Sequence, residues 1–244
     1  TNGATLAVAT NNIGTLSGFT AGSLRLLNAG ALVLAGQNSV GTTGTADIST
    51  LSGGLTQAAG GTLIAGTLTS SNGIAGSALL LGTANQIGTI AGLSTLGTLT
   101  VVDSQALALA GLVNVGSTGT VDITTSSGGV TQAAGGLLLA GTLTSTGHIA
   151  GAVTLNGIFN QIGTIAGLTA GGTLAVVDGK ALALAGLVSV GSTGTIDITT
   201  SSGGVTQAAG GTLVAGTLTS TGNIAGAASF LGTANQIGTI AALT

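Results

Sequence analysis

The stretch GSTGTVDITTSSGGVTQAAGG at residues 116–136 returns at 191–211 as GSTGTIDITTSSGGVTQAAGG, with Val121 against Ile196 as the only difference. A looser copy, GTTGTADISTLSGGLTQAAGG, stands at 41–61, so the three copies start at Gly41, Gly116 and Gly191 in equal steps of 75. A fixed internal period is the mark of a repeat architecture, in which one unit buries its apolar face only by stacking on the next. The period holds outward from this stretch: NQIGTI begins at Asn85, Asn160 and Asn235, and a fragment, NIGTL at 12–16, holds the corresponding place one period earlier. Between 97–147 and 172–222 only seven of 51 positions differ. A partial repeat (1–16), three repeats (17–91, 92–166 and 167–241) and the three residues that follow account for the chain, so one continuous unit over 1–244 is expected, with no linker and no separate catalytic domain. Both ends fall inside the pattern, which reads as a segment of a longer chain.

Within each period, short apolar stretches such as TLTVVD (98–103), ALALAG (106–111) and LVNV (112–115) are separated by Gly, Ser, Thr or Asn. Their lengths suit strands and the separators suit corners. Gly interrupts nearly every candidate helix, at a cost of about 1 kcal/mol per residue relative to Ala. The starts GTL (Gly97), GTV (Gly119), GHI (Gly147) and GTL (Gly172) step by 22, 28 and 25, with a mean of 25. Three strands per roughly 25 residues predict a right-handed parallel β-helix, or β-solenoid, of about ten coils, three coils to each 75-residue repeat. In that fold Val121 and Ile123 point inward and Asp122 outward, as do Ile196, Ile198 and Asp197, and Ala46, Ile48 and Asp47. Gly128 and Gly129 turn the chain toward the next strand.

Composition narrows the functional classes. The chain has 47 Gly, no Pro, Cys, Met, Trp or Tyr, and only five Asp, two basic residues and one His among its ionisable side chains. Two cations cannot neutralise a run of phosphates, so nucleic acid is set aside as a partner. Mean hydropathy is +0.75, yet the longest apolar runs, such as ALALAGLV (106–113), fall far short of the roughly 20 residues that span a bilayer, and no transmembrane segment is expected. Low charge with high apolar content also excludes a solvated disordered chain.

The order GTLTVVDSQALALAG, TGTVDITTSSGGVTQAAGG, LLLAGTLTS and NQIGTIAGL resembles the repeat region of filamentous haemagglutinin-like exoproteins, the large adhesins that bacteria export by two-partner secretion. The phrases GGVTQAAGG and GTANQIGTI carry the likeness, which extends over essentially all of the chain. The resemblance implies a secreted or cell-surface β-helical fibre that serves adhesion, aggregation or biofilm formation. A host-cell or glycan surface is then the expected partner.

No catalytic, cofactor-binding or metal-ligating residue is assigned, and the chain is expected not to be an enzyme. Asp47, Asp122 and Asp197 recur once per repeat, which three coils place about 14 Å apart, beyond the roughly 5–10 Å of a glycosidase pair. Asp103 and Asp178 form a second set, with Asn28 as their counterpart, and all five Asp read as solvated corner or face residues. Asp103 and Asp122 on adjacent coils are the one pairing to test. His148, matched by Gly73 and Asn223, reads as an exposed turn residue, Arg25 as solitary, and Asp178 with Lys180 as a local ion pair of no role beyond solubility. TLT recurs at Thr67, Thr142 and Thr217, three coils apart on this reading, too sparse for an ice-matching face. Low charge and absent Pro leave strand edges unguarded, so end-to-end or lateral self-association into a filament is the competing expectation.

Overall fold

Alternation sets the local structure. In the strand Thr98–Asp103, Leu99 and Val101 are fully buried while Thr98, Thr100 and Val102 face outward. The same parity buries Val121 and Ile123 and turns Asp122 out, as expected, and repeats at Ile196 and Ile198. The computed structural model describes residues 2–244: 22 strands, no helix, every strand pairing parallel, wound as a right-handed β-solenoid of about 11 turns. Leu99, Val121, Leu143 and Ile165 stack on one another through successive coils as an inner column. Each such side chain contributes about 1.5–3 kcal/mol relative to exposure.

These four residues are 22 apart, so the coil is shorter than the expected 25. The landmark that follows Gly119 is Gly141, not Gly147: Gly-Thr-aliphatic triplets begin at Gly97, Gly119, Gly141 and Gly163 in even steps. Glycine is required there by crowding. A Cβ on Gly119 would strike the carbonyl oxygens of Val115 and of Gly97 one coil below.

From Gly163 the next triplet, at Gly172, comes after only nine residues, and those nine carry the chain half a coil. Two ladders make this visible. A front ladder runs Leu55, Ala78, Leu99, Val121, Leu143, Ile165 and Leu184. A back ladder begins Leu24, Ala46, Leu68, Ile90 and Leu109. It continues through the strands that start at Leu107 and carry Val130, Val153, Leu174, Ile196 and Leu218. Leu24, Leu99 and Leu174 hold one place in the repeat, yet Leu24 and Leu174 lie on the back and Leu99 on the front. Seven coil steps separate Leu24 from Leu174, so one 75-residue repeat is three and a half coils, not three, and advances the rod about 17 Å. Consecutive repeats are related by a half-turn about the rod axis.

Two narrow edges join the faces. The chain crosses the first edge from back to front, where Thr50, Ile74 and Thr95 bridge successive coils. It crosses the second edge from front to back, where Thr125, Ile149 and Ala170 do the same. Among the described residues there is no helix, hence none long and apolar enough to cross a membrane.

Candidate functional site

The polar residues of the repeated stretch are joints between coils. Gln132 and Asn160, 28 residues apart, exchange hydrogen bonds: Gln132 Nε2 donates to Asn160 Oδ1 at 2.7 Å and Asn160 Nδ2 to Gln132 Oε1 at 2.9 Å. Asn160 is fully buried. Its Oδ1 also accepts from the Leu138 N–H at 2.8 Å, and its Nδ2 also donates to the Val177 carbonyl at 3.0 Å. Gln57 with Asn85 and Gln207 with Asn235 repeat the clamp at 2.7 and 2.6 Å. This is why TQ and NQ recur in fixed relation: a buried amide is tolerated where its donors and acceptors are met.

Asp122 faces outward as expected but is not merely solvated. Its two oxygens accept from the Thr146 N–H at 2.8 Å and the Thr146 hydroxyl at 2.6 Å, tying it to the turn one coil on. Asp47 holds Ser71, and Asp197 holds Thr221, in the same way. Thr125 closes the intervening corner by donating from Oγ1 to the Gly128 carbonyl at 2.9 Å, with Gly128 at φ +73°. Gly129 follows, where a Cβ would strike the Ala152 carbonyl oxygen. The pair therefore turns the chain as the sequence indicates.

Asp103 and Asp178 correct the expectation of solvated carboxylates: both are fully buried. The reason is parity, since Asp103 follows Leu99 and Val101 on the inward side of its strand. Asp103 accepts from the Ile87 N–H at 3.2 Å and the Ser104 N–H at 2.8 Å, and Asp178 from the Ile162 and Gly179 N–H groups at 3.0 Å each. Burial pushes both carboxyls up to about 6, against the opposing pull of those backbone donors and, for Asp178, of the Lys180 charge. Asp178 Oδ2 is buried without a partner. At the equivalent place Asn28 keeps the acceptor contact, from the Ile13 N–H at 2.8 Å. It also donates from Nδ2 to the Ile13 and Gly30 carbonyls at 3.0 and 2.9 Å.

The carboxylates do not assemble. Asp47 and Asp197 lie on the back face seven coils apart, about 34 Å, and Asp122 lies on the front. Asp103 and Asp122 share adjacent front strands, but one points into the core and the other to solvent. Arg25 is not solitary: its Nε lies 3.6 Å from Asp47 Oδ2 on the next coil, and this cover together with the Ser71 bonds leaves Asp47 buried, not solvated as expected, although Arg25 itself stays exposed. Arg25 with Asp47 is the one ion pair among the described residues, so the expected Asp178–Lys180 bridge does not form. His148 is exposed, with Nδ1 3.4 Å from the Thr169 hydroxyl.

Threonine ladders are denser than the spacing of TLT indicated. Thr98, Thr120, Thr142 and Thr164 stand on four successive front strands, and Thr173, Thr195, Thr217 and Thr239 on four successive back strands. The column beside the front ladder reads Thr100, Asp122 and Thr144, so a two-column threonine array is broken by a carboxylate.

Exposed apolar side chains collect on the first edge, where an open groove of about 420 Å³ spans residues 50 to 116 between Leu51 and Leu96. A second depression, of about 570 Å³, lies beside Ile158, Phe159 and Lys180 on the same edge. Comparison of the chain with protein-family models, with curated proteins and with solved structures gives no match.

Proposed function

We propose that this chain is a length of the fibrous shaft of a secreted or cell-surface bacterial adhesin that serves adhesion, aggregation or biofilm formation. The observation supporting this reading is the use made of the recurring polar side chains. Gln132 with Asn160, Asp122 with Thr146 and Thr125 with Gly128 each secure one coil or corner to its neighbour, so what the repeat copies is a joint, not a reactive group. A solenoid's stability is close to a sum of coil and interface terms, so copying whole repeats lengthens the rod without redesign. The partner in this reading is a host-cell or glycan surface and the setting is extracellular.

A self-assembling extracellular filament is the second reading, favoured by the exposed apolar first edge and by strand edges that carry little charge and no Pro. A polysaccharide-degrading β-helix ranks below both, because the carboxylates it needs in pairs lie on opposite faces, on opposite sides of one sheet or seven coils apart.

Beads coated with the purified chain, offered to epithelial cells and to glycan-coated surfaces, separate these readings. Saturable attachment supports the adhesin. Inert beads from a preparation that polymerises unaided decide for the filament, and polysaccharide turnover abolished by Asp122→Asn overturns both.

A further inference from the structure

In a chain that copies itself so closely, the exposed positions where copies disagree are informative. Because consecutive repeats are turned by half a coil, equivalent corners of the first and second repeats fall on opposite edges. Leu51 and Leu96 of the first edge have as counterparts Ser126 and Gly171, which lie on the second. Thr83 and Ala84 of the first repeat lie on the second edge, and their counterparts Ile158 and Phe159 lie on the first. In each case the large apolar side chain is on the first edge and the small or polar one on the second; Leu81 against Asn156 runs the other way. Val8 and Leu112 extend the same edge, so among the described residues six of the ten exposed large apolar side chains share it.

Two of these features have complementary shapes. Ile158 and Phe159 are the central residues of a turn closed by the Asn160 N–H donating to the Gly157 carbonyl at 3.1 Å. Phe159 is 71% exposed, yet the next residue is the fully buried Asn160 of the amide clamp. The turn is thus a fixed apolar knob. The groove between Leu51 and Leu96, with Ile74 and Ala75 in its wall, is a fixed apolar depression whose rim residue Leu96 is 76% exposed. The first edge steps from Ile74 to Thr95, then through Asn114 and Leu139 to Gln161 beside the knob. The knob therefore stands about three and a half coils, roughly 17 Å, beyond the groove's centre.

We propose that the first edge is a self-association surface, on which two copies of this chain pair antiparallel with the Ile158–Phe159 knob of each seated in the other's Leu51–Leu96 groove. Knob and groove on one edge, at a fixed offset along a straight rod, are what an isologous pair requires: a two-fold axis midway between them fills both grooves at once. A parallel pair turned edge to edge engages only one. The edge from Leu51 to Gln161 is about five coils long, and a turn about 13 Å wide gives roughly 300 Å² per partner, well under the ~800 Å² of a standard interface. The pairing is accordingly weak and reversible, and it stands whether or not the adhesin reading holds.

Sedimentation equilibrium of the full chain up to a few hundred micromolar tests this. The variants carry what other repeats already accept: Ile158→Thr with Phe159→Ala, as in Thr83–Ala84 and Thr233–Ala234, and Leu51→Ser, as in Ser126 and Ser201. Native chain is expected to form a dimer that each variant weakens at least tenfold. Because the chain lacks Cys, a Leu96→Cys/Phe159→Cys double variant is expected to close into a covalent dimer with two bridges, and Phe159→Cys alone to stay monomeric under the same oxidation. A native chain that is monomeric throughout, a dimer indifferent to the variants, or ready cross-linking of Phe159→Cys to itself overturns the proposal.

Discussion

Asn160 lies one coil beyond Gln132, and the two side chains satisfy each other and four backbone groups between them, among them the Leu138 and Gly157 N–H groups and the Leu155 and Val177 carbonyls. Asn160→Ala strands the Leu138 N–H, the Leu155 and Val177 carbonyls and the Gln132 amide in the interior, each at about 1–3 kcal/mol. The expected loss is at least about 3 kcal/mol, read from the chemical denaturation midpoint, with most of the damage confined to the coils around Leu138 in hydrogen exchange.

Outward and inward neighbours on one strand should respond very differently. Ile123→Asp places an unpaired charge in the core and is expected to cost more than about 4 kcal/mol or to melt the local stack. Asp122→Ala removes two hydrogen bonds to Thr146 and should cost about 1–2 kcal/mol. Asp122→Asn, which keeps acceptor and shape, should cost less. Thermal unfolding of the three variants gives the order; equal shifts contradict the assigned faces.

The buried carboxyls make stability depend on pH in an uncommon direction. Asp103 and Asp178 titrate near 6 in the fold against an ordinary 3.8, so folding favours the neutral acid. The contribution is fully present below about 3.8 and lost as pH rises through 6. The chain is expected to be more stable at pH 4 than at pH 7, by on the order of 2–3 kcal/mol per carboxyl. Asp178→Asn, the residue type that Asn28 supplies at the equivalent place, should raise the pH 7 midpoint and flatten the profile. A profile that rises toward neutrality overturns this assignment.

Excising residues 92–166 joins equivalent points of the repeat and should leave a folded rod about 17 Å shorter. The residues that follow the excision then change face. Small-angle scattering gives the length, and loss of cooperative unfolding in the shortened chain would contradict independent coil stacking.

Much of this architecture was legible in the sequence because its cause is local. Alternation in TLTVVD and TVDITT set strand faces, and Gly128–Gly129 set a corner. The shorter coil step was also written there, in Gly97, Gly119, Gly141 and Gly163, but an even division of 75 favours Gly147, which lies in the turn that follows the Gly141 strand. The half-turn was not legible, because it depends on corner lengths: one coil closes between Thr164 and Ala183, a shorter path than the coil from Thr120 to Thr142 by three positions. Burial of Asp103 followed from parity and was hidden by the expectation that an isolated carboxylate stays in water. The apolar first edge emerges only once the repeats are known to alternate sides.

The coil length decides the rest, and a pair of engineered cysteines measures it in a chain that has none. Thr120 and Thr142 are register partners on adjacent coils, within the roughly 4.4–6.8 Å Cα separation that a disulfide spans. Thr120→Cys/Thr142→Cys is expected to close an intramolecular bond on mild oxidation, while Thr120→Cys/Ser145→Cys stays reduced. Closure of the second pair and not the first would restore the longer coil expected from an even division of the repeat, return three coils to each repeat, and remove the half-turn on which the two-sided architecture rests.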